Sequence, residues 1–259
     1  MGNVFPPIPN QSDMRERRRG ARKYPTDLDA SENKELPIEL KKNGIAGENY
    51  YYSEHNPPYM HPAKGAIAEL YVREGIFKKL IAANDEFKKL GYELFVFDAY
   101  RPIAVQNYFH DEWVPNMLRG AHPDWSEEEI ATETGNYWAE GAPSEKEVNP
   151  LSPPQHSTGG VVDCSLRKIG ESDTIDMGGA FDLVDTVSFV DYLERLADER
   201  TLTQEEDTAR MNRRMLYHVM INAGFTVNPN EWWHYGFGDQ LSAKVSGAPC
   251  AVYSKMTVD

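Results

Sequence analysis

The sequence has few cysteines, no excess of basic residues and no long hydrophobic run. Cys164 and Cys250 are the only cysteines among its 259 residues, which is too few for a disulfide framework and is typical of a reducing cytoplasm. The first residues lack the basic start and apolar run of a secretory signal, and no later stretch approaches the length of a membrane span. We therefore expect a soluble, cytoplasmic protein.

Positive charge is scarce relative to negative charge. Lys and Arg total 27 against 41 Asp and Glu, so the formal net charge is −14 at pH 7. Such a surface repels the phosphates of nucleic acids and the headgroups of anionic membranes. We therefore expect neither a nucleic acid nor a membrane as a partner.

Residues 1–60 differ in composition from the rest of the chain. They are rich in Pro, Asn, Arg and Glu, show little hydrophobic periodicity, and include a charge run at residues 15–19 (Arg-Glu-Arg-Arg-Arg). This run could bind an anion, but a solvated segment is the more common explanation of such a pattern. We predict an N-terminal arm over residues 1–60, packed on or extending from a single domain over residues 61–259.

Helical and strand patterns alternate irregularly after the arm. Apolar residues at helical spacing predict a long helix, or two in sequence, over residues 66–90, and a capping box opens another helix over residues 203–223. Aromatic and β-branched runs predict strands at residues 92–97, 160–166, 225–227 and 232–235. This irregular order favours an α+β fold over a regular doubly wound sheet.

Two short segments carry the residue types that bind metals. His156 and Asp163 lie seven positions apart around the glycine pair 159–160, which would let the chain bend so that both side chains face one point. Glu231 and His234 flank two tryptophans, whose rings can exclude water. Two histidines and one carboxylate form the ligand set of a catalytic zinc with an open position. A hydrogen-bonded histidine, a turn-capping aspartate and core tryptophans are the ordinary structural alternatives, and spacing alone leaves both interpretations open.

Four motifs in order resemble the D-alanyl-D-alanine dipeptidase family of zinc peptidases, the vancomycin-resistance type. Residues 156–163 match its His-x-x-Gly-x-x-x-Asp signature and residues 231–234 match its Glu-x-x-His signature. Residues 98–102 (Asp-Ala-Tyr-Arg-Pro) look like its Tyr-Arg-Pro motif, and residues 177–182 (Met-Gly-Gly-Ala-Phe-Asp) resemble its Met-Gly-x-x-Phe-Asp stretch. The likeness covers residues 65–240, that is, most of the region after the arm.

The resemblance implies a single α+β domain of the D,D-peptidase and hedgehog type, with a central, mainly antiparallel sheet flanked by helices. It also implies one zinc ion per chain, held by the residues that match the family's ligands, His156, Asp163 and His234. The expected reaction is hydrolysis of D-Ala-D-Ala or a similar small dipeptide by metal-activated water. Its expected setting is the turnover, recycling or resistance chemistry of the cell wall.

The resemblance also implies roles for three residues beside the metal. Glu231 matches the general acid/base, which takes a proton from water and passes it to the departing nitrogen. Arg101 matches the arginine that stabilises the transition state, a role suited to a permanently charged, planar group. Asp182 matches a carboxylate that receives the free amino group of the substrate.

One position departs from the family pattern and keeps rival functions open. Family members commonly have a serine two positions before the first metal histidine, implicated in binding the substrate's C-terminal end, whereas this chain has Pro154. The rivals are a dipeptidase for other peptides or for peptides that contain D-amino acids, and a non-catalytic, hedgehog-like zinc-binding module. The presence of Glu231 and Arg101 argues against the module. A carboxypeptidase acting on intact cell wall would need export and an open cleft.

Overall fold

A central sheet of five strands organises the protein. The computed structural model describes residues 5–183 and 185–258, without the side chains of residues 136 and 137. In chain order, the strands are β1 (Pro37–Glu39), β2 (Ala46–Gly47), β3 (Tyr71–Arg73), β4 (Tyr92–Asp98), β5 (Val161–Lys168), β6 (Thr226–Val227) and β7 (His234–Gly236). The central sheet has the order β2-β4-β5-β7-β6. Only its β2–β4 pair is parallel, so the sheet is mainly antiparallel, as predicted.

Helices surround the sheet. They are α1 (Ser12–Arg18), α2 (Glu74–Lys89), α3 (Ile103–Asn107), α4 (Val114–Ala121), α5 (Glu127–Tyr137), α6 (Tyr192–Glu199), α7 (Gln204–Asn222) and α8 (Gln240–Ser246). The two longest, α2 and α7, pack against each other. The side chains of Ile76, Leu80 and Phe87, successively four and seven residues apart on α2, are fully buried in the main core beside the sheet. Among the described residues, no helix has the length and apolarity needed to cross a bilayer.

The helix predicted from residue 66 begins later than expected. Tyr71–Arg73 forms β3, which pairs with β1 in a separate antiparallel sheet, and α2 begins only at Glu74. The apolar residues of the strand, Tyr71 and Val72, stand at helical spacing from those of the helix, which begin at Ile76, so periodicity alone did not separate them. The long-range pairing with β1 decides that these residues are extended.

The N-terminal segment takes part in both sheets. Strand β1 pairs with β3, and β2 adds a parallel strand to the edge of the central sheet beside β4. Residues 37–47 are therefore hydrogen-bonded to strands that lie beyond residue 60. The division of the chain at residue 60 stays a prediction.

Candidate metal and peptide-binding site

Three neighbouring strands bring the floor of the site together. Asp98 at the end of β4 is the register partner of Asp163 on β5, and Asp163 is in turn the partner of His234 at the start of β7. All three side chains are buried, with exposed fractions of 0, 2 and 5%. Residues that are far apart in sequence thus become neighbours because antiparallel pairing aligns the ends of the strands.

His156 reaches the same point from the short 3-10 helix Gln155–Thr158 that precedes β5. Its Nδ1 lies 2.8 Å from the carbonyl oxygen of Ala99 and 3.1 Å from Asp98 Oδ2, while its Nε2 lies 3.4 Å from Asp163 Oδ2. The glycine that follows the 3-10 helix, Gly159, has φ +66°, and a Cβ atom there would meet Met256 Sδ at 2.5 Å. The predicted bend therefore depends on this glycine.

The predicted ligands His156, Asp163 and His234 form one cluster. A donor atom can be chosen from each so that all three lie within 4.8 Å of one another. His234 Nε2 is buried and has no hydrogen-bond partner in the described part of the chain, and Asp163 Oδ1, which is also buried, lies 3.1 Å from His234 Nδ1. Because unpartnered buried polar atoms are costly, this donor set fits a metal ion that takes nitrogen and oxygen ligands, such as zinc.

The charges around the cluster favour a cation. Burial alone would lower the pKa of His234, but the hydrogen bonds and charges of Asp163 and Glu231 outweigh it and raise the pKa to about 10. Burial alone would raise the pKa of Asp163, yet His156 and His234 hold it well below its ordinary value. The two carboxylates thus create a field in which positive charge is stabilised.

Arg101 lies beside the cluster at the start of the turn after β4. Its Nε donates to Asp98 Oδ2 at 2.8 Å, and its Nη2 lies 3.5 Å from Asp163 Oδ2. The guanidinium stacks over the rings of Tyr51 and Trp138, with centroid distances of 4.6 and 4.8 Å. Burial alone would lower the pKa of Arg101, but Tyr51 and the surrounding carboxylates raise it, so the side chain is a fixed positive charge.

Asp98 is a site residue that the sequence analysis quoted within a motif without giving it a role. Its Oδ2 atom contacts both Arg101 Nε and His156 Nδ1, and its side chain is fully buried. A carboxylate that holds the far nitrogen of a ligating histidine fixes the orientation of the ring. The feature of the sequence that could have identified Asp98 is a carboxylate at the predicted end of a strand, three residues before Arg101.

Glu231 lies on the wall above the cluster, in the loop between β6 and β7. Its side chain is 34% exposed, and its Oε2 atom lies 3.2 Å from His234 Nδ1. Burial alone would raise the pKa of Glu231, but His234 outweighs this effect and lowers it, with a smaller contribution from Arg18. Glu231 is therefore a carboxylate that is ionised and faces the cavity.

Asp182 lines the same cavity and is held by two tyrosines of the N-terminal segment. Its Oδ2 atom accepts hydrogen bonds from Tyr51 Oη at 2.8 Å and from Tyr59 Oη at 2.5 Å. Burial raises the pKa of Asp182 to about 6, although both hydrogen bonds and Arg101 oppose the shift. The sequence analysis did not identify the tyrosines, because nothing local to residues 51 and 59 relates them to residue 182.

A cavity of about 440 Å³ unites these groups. All six residues predicted for the site line it: Arg101, His156, Asp163, Asp182, Glu231 and His234. Pro154 and Trp138 also form part of its wall, and Arg18 and Arg22 of the N-terminal segment lie at its lining as well. The volume is that of a site for a small molecule.

Comparisons with known proteins agree with the motifs. Residues 66–249 match the family described as D-ala-D-ala dipeptidase. A D-alanyl-D-alanine dipeptidase of Synechocystis sp. is 34% identical over 183 residues, covering 66% of this chain and 71% of that protein. Another from Enterococcus faecium is 26% identical over 168 residues, covering 63% and 71%. A solved LD-carboxypeptidase, LdcB, described in connection with peptidoglycan recognition, aligns at TM-score 0.38 and 16% identity over 71% of this chain and 68% of that one.

The sheet and the buried cluster define an α+β protein with a candidate metal centre that opens onto a small cavity. The extent of the sequence match defines it further, and the chain belongs to the D-ala-D-ala dipeptidase family. It is therefore a peptidase, a hydrolase of peptide bonds. The predicted family and the predicted fold class are confirmed. The individual roles of the six site residues stay predictions.

Proposed function

We propose that the protein is a zinc-dependent dipeptidase that hydrolyses D-Ala-D-Ala or a closely similar dipeptide. The observation that carries the proposal is the convergence of three kinds of group on one cavity. A buried His-Asp-His cluster lies at its floor, the carboxylate of Glu231, with a lowered pKa, lies beside that cluster, and a second carboxylate, that of Asp182, also lines the cavity. Hydrolysis of a dipeptide requires these three groups in the same order, for activation of water, for proton transfer and for recognition of the amino end of the substrate.

Zinc would be held by His156, Asp163 and His234, and when bound it would supply Lewis-acid chemistry and lower the pKa of a coordinated water from about 15.7 toward about 7. The chain contributes the geometry of these ligands. Asp98 and the Ala99 carbonyl oxygen hold His156 through Nδ1, so that Nε2 is directed toward Asp163. With zinc bound, the ligand set would have one carboxylate and two neutral imidazoles, which would preserve positive charge at the centre.

Glu231 moves the protons. Its ionised carboxylate can accept a proton from the attacking water at Oε1 or Oε2 and return it to the departing amine nitrogen. Proton transfer of this kind is worth about 10² to 10⁴ in rate. Its partial exposure to the cavity allows the carboxylate to contact both the water and the substrate.

Arg101 stabilises negative charge as it develops on the scissile carbonyl oxygen. Asp98 and the flanking aromatic rings hold the guanidinium in one orientation, so it needs little reorganisation during the reaction. Asp182 binds the ammonium group of the substrate and is itself held by two tyrosine hydroxyls. A peptide without a free amino end would leave this carboxylate unpaired, which favours dipeptides over longer chains blocked at that end.

Pro154 favours a second candidate, a dipeptidase for other peptides or for peptides that contain D-amino acids. It lines the cavity and has no hydroxyl group with which to contact the C-terminal end of a substrate. The chemistry would be the same, and only the preferred side chains and stereochemistry would differ. We also propose a cytoplasmic location and a role in the turnover of cell-wall peptides as part of this function.

Hydrolysis assays test the proposal. The zinc-loaded protein and its Glu231→Gln variant are compared on D-Ala-D-Ala, L-Ala-L-Ala and a pentapeptide that ends in D-Ala-D-Ala, with Glu128→Gln, an exposed carboxylate on α5, as the matched control. We expect turnover of D-Ala-D-Ala that is lost in Glu231→Gln and retained in Glu128→Gln. Turnover of L-Ala-L-Ala alone would favour the second candidate. Zinc binding without hydrolysis of any peptide would contradict both.

A further inference from the structure

The basic run of the N-terminal segment reaches the cavity. Arg18 is the last residue of α1, and Arg22 lies in the 3-10 helix Ala21–Lys23 that follows. Both side chains are partly buried, and both line the same cavity as the metal cluster. They precede residue 66, where the match to the family begins. They are therefore a feature of this chain that the shared motifs do not account for.

Several buried contacts hold this part of the chain in place. Arg15 forms a two-point ion pair with the fully buried Asp191, at 2.9 and 3.1 Å. The amide of Gln240 donates to the carbonyl oxygens of Arg22 and Tyr24, at 3.0 and 2.7 Å. A small apolar cluster adds to these contacts, formed by Met14, Ala21, Leu241 and Val245. The two arginines are thus presented to the cavity by a segment that is fixed to the domain.

One charged group of a dipeptide substrate, its C-terminal carboxylate, has no partner among the cavity residues described so far. A dipeptide at neutral pH carries an ammonium group at one end and a carboxylate at the other. Asp182 provides for the ammonium group, and Arg101, which is held by Asp98 and Asp163, is assigned to the scissile carbonyl oxygen and not to the carboxylate. Apart from Arg101, the arginines and lysines that line the cavity in the described part of the chain are Arg18 and Arg22.

The two arginines have donors to spare. The Arg18 guanidinium makes no hydrogen bond or ion pair within 4 Å to any residue that the structure describes, and its charge acts on the carboxylate of Glu231, whose pKa it helps to lower. Arg22 donates through Nη1 to the carbonyl oxygen of Glu140 at 2.7 Å and through Nη2 to that of Ser152 at 3.3 Å. Both of these acceptors are neutral carbonyl oxygens, and the charge of the Glu140 side chain, which raises the pKa of Arg22, offsets only part of the lowering by burial.

Arg22 is also held beside the part of the wall where a hydroxyl group is missing. It contacts Ser152 in both directions, because Ser152 Oγ donates to the carbonyl oxygen of Arg22 at 2.8 Å. Pro154, two residues further, lines the cavity and offers neither a hydroxyl nor a backbone N–H. A guanidinium next to this position can supply the donors that the proline cannot.

We propose that Arg18 and Arg22 bind the C-terminal carboxylate of the peptide substrate, so that the N-terminal segment completes the specificity site. This inference rests on the proposed function for the identity of the substrate. The arginines and Asp182 then select the two charged ends of a dipeptide, and the distance between them limits the length of peptide that fits. The N-terminal segment is thereby a substrate-binding element as well as a structural one.

Binding to a protein that cannot turn over tests the proposal. The ligands are D-Ala-D-Ala and its C-terminal amide, titrated by calorimetry into zinc-loaded Glu231→Gln protein that carries Arg18→Gln, Arg22→Gln or both. Since a hydrogen bond to a charged group contributes about 1.5–3 kcal/mol, each substitution should weaken binding of the free acid about 10- to 100-fold. Binding of the amide should stay unchanged, because it has no carboxylate.

Arg17→Gln is the matched control. Arg17 belongs to the same helix and loses the same charge, but it is exposed and does not line the cavity. It should leave the affinity for both ligands unchanged. Because Arg18 makes no contact that holds the segment, Arg18→Gln should also keep the melting temperature of the parent protein, which separates loss of binding from loss of folding.

The outcomes are distinguishable from those of the proposed function. Equal losses for the acid and the amide, or no loss for either, would overturn the carboxylate assignment even if the wild-type protein hydrolyses D-Ala-D-Ala. Loss confined to the acid, without hydrolysis by the wild-type protein, would overturn the proposed function and support the carboxylate site. If neither ligand binds the parent protein, both proposals are overturned.

Discussion

The floor and the rim of the cavity are built in different ways. The floor consists of Asp98, His156, Asp163 and His234, which are at most 5% exposed and lie on or beside strands paired in register. The rim includes Asp182, Glu231, Arg18 and Arg22, which are partly exposed and come from turns, a loop and the N-terminal segment. Buried, strand-held ligands suit the fixed geometry of a metal, whereas rim groups meet a ligand that must enter and leave. We therefore expect substitutions in the floor to change metal affinity, and substitutions of the rim groups that bind the ends of the substrate, Asp182, Arg18 and Arg22, to change KM. Glu231, the rim group that moves protons, should change kcat instead.

The largest effect is expected for Asp163→Asn in the floor. This substitution removes the carboxylate that lies between the two histidines and contacts Arg101. Zinc affinity should fall by more than the roughly 10- to 100-fold typical of losing an outer-shell partner, and hydrolysis should fall with it. Competition with a fluorescent chelator measures the affinity, and Asp85→Asn on the exposed face of α2 is the control. Normal zinc affinity in Asp163→Asn would remove it from the ligand set.

Asp98→Asn tests whether metal binding at the floor depends on a residue that supports the ligands without belonging to them. Asp98 does not belong to the three-residue cluster, but it holds both His156 and Arg101. We expect zinc affinity to fall about 10- to 100-fold, since the histidine ring loses its charged partner. Calorimetric titration of zinc would measure the change. An unchanged affinity would mean that the Ala99 carbonyl oxygen, 2.8 Å from the same nitrogen, is sufficient to orient the ring.

In the rim, Asp182 should control the pH dependence of KM. Burial raises its pKa to about 6, with Tyr59, Arg101 and Tyr51 opposing the shift and Asp163 adding to it. Below that pH the carboxyl group is neutral and cannot pair with an ammonium group. The KM of the wild-type protein for a dipeptide should therefore rise as the pH falls through about 6.

The Asp182→Asn variant should have a raised KM at every pH, and its KM should not rise further as the pH falls through about 6. Asp185→Asn is the matched control, because Asp185 also lines the cavity but its carboxylate caps a short helix through the N–H of Val187. The folded protein binds the Asp182 proton more tightly than the unfolded chain does, so ionised Asp182 costs stability above pH 6. A melting temperature at pH 7 that is higher in Asp182→Asn would agree with this sign, and a lower one would contradict it.

The smallest effect is expected for Tyr59→Phe. The substitution keeps the ring, which packs on Phe109 and Trp113, and removes one of the two hydroxyl groups that donate to Asp182. Because a single hydrogen bond contributes about 0.5–1.5 kcal/mol, KM should rise about 2- to 10-fold while kcat and zinc affinity stay the same. Steady-state kinetics beside Tyr52→Phe, an exposed tyrosine of the same segment, would detect the change. A fall in zinc affinity instead would assign Tyr59 to the floor.

The floor of the cavity was easier to predict from the sequence than the rim. The floor ligands stand in two short motifs in which each residue type is informative, and the strand that carries Asp163 was recognisable from its composition. Only two of the four rim residues could be recognised from the sequence. Asp182 and Glu231 fell within motifs, whereas Arg18 and Arg22 belonged to a charge run for which solvation was the more common explanation, and the predicted helix over residues 66–90 included what proved to be β3.

By itself, the sequence determined the α+β class, because the class follows from the irregular alternation of helical and strand patterns. The family and the candidate metal ligands came from the resemblance of four ordered motifs to a known family, because spacing alone left the metal site open. Only the tertiary structure decided that Asp98 supports both His156 and Arg101, that Tyr51 and Tyr59 hold Asp182, and that the N-terminal arginines line the cavity. The tyrosine contacts join residues more than 120 positions apart in sequence. Such contacts depend on how the strands pair and how the segments pack, and no local pattern of side chains encodes that.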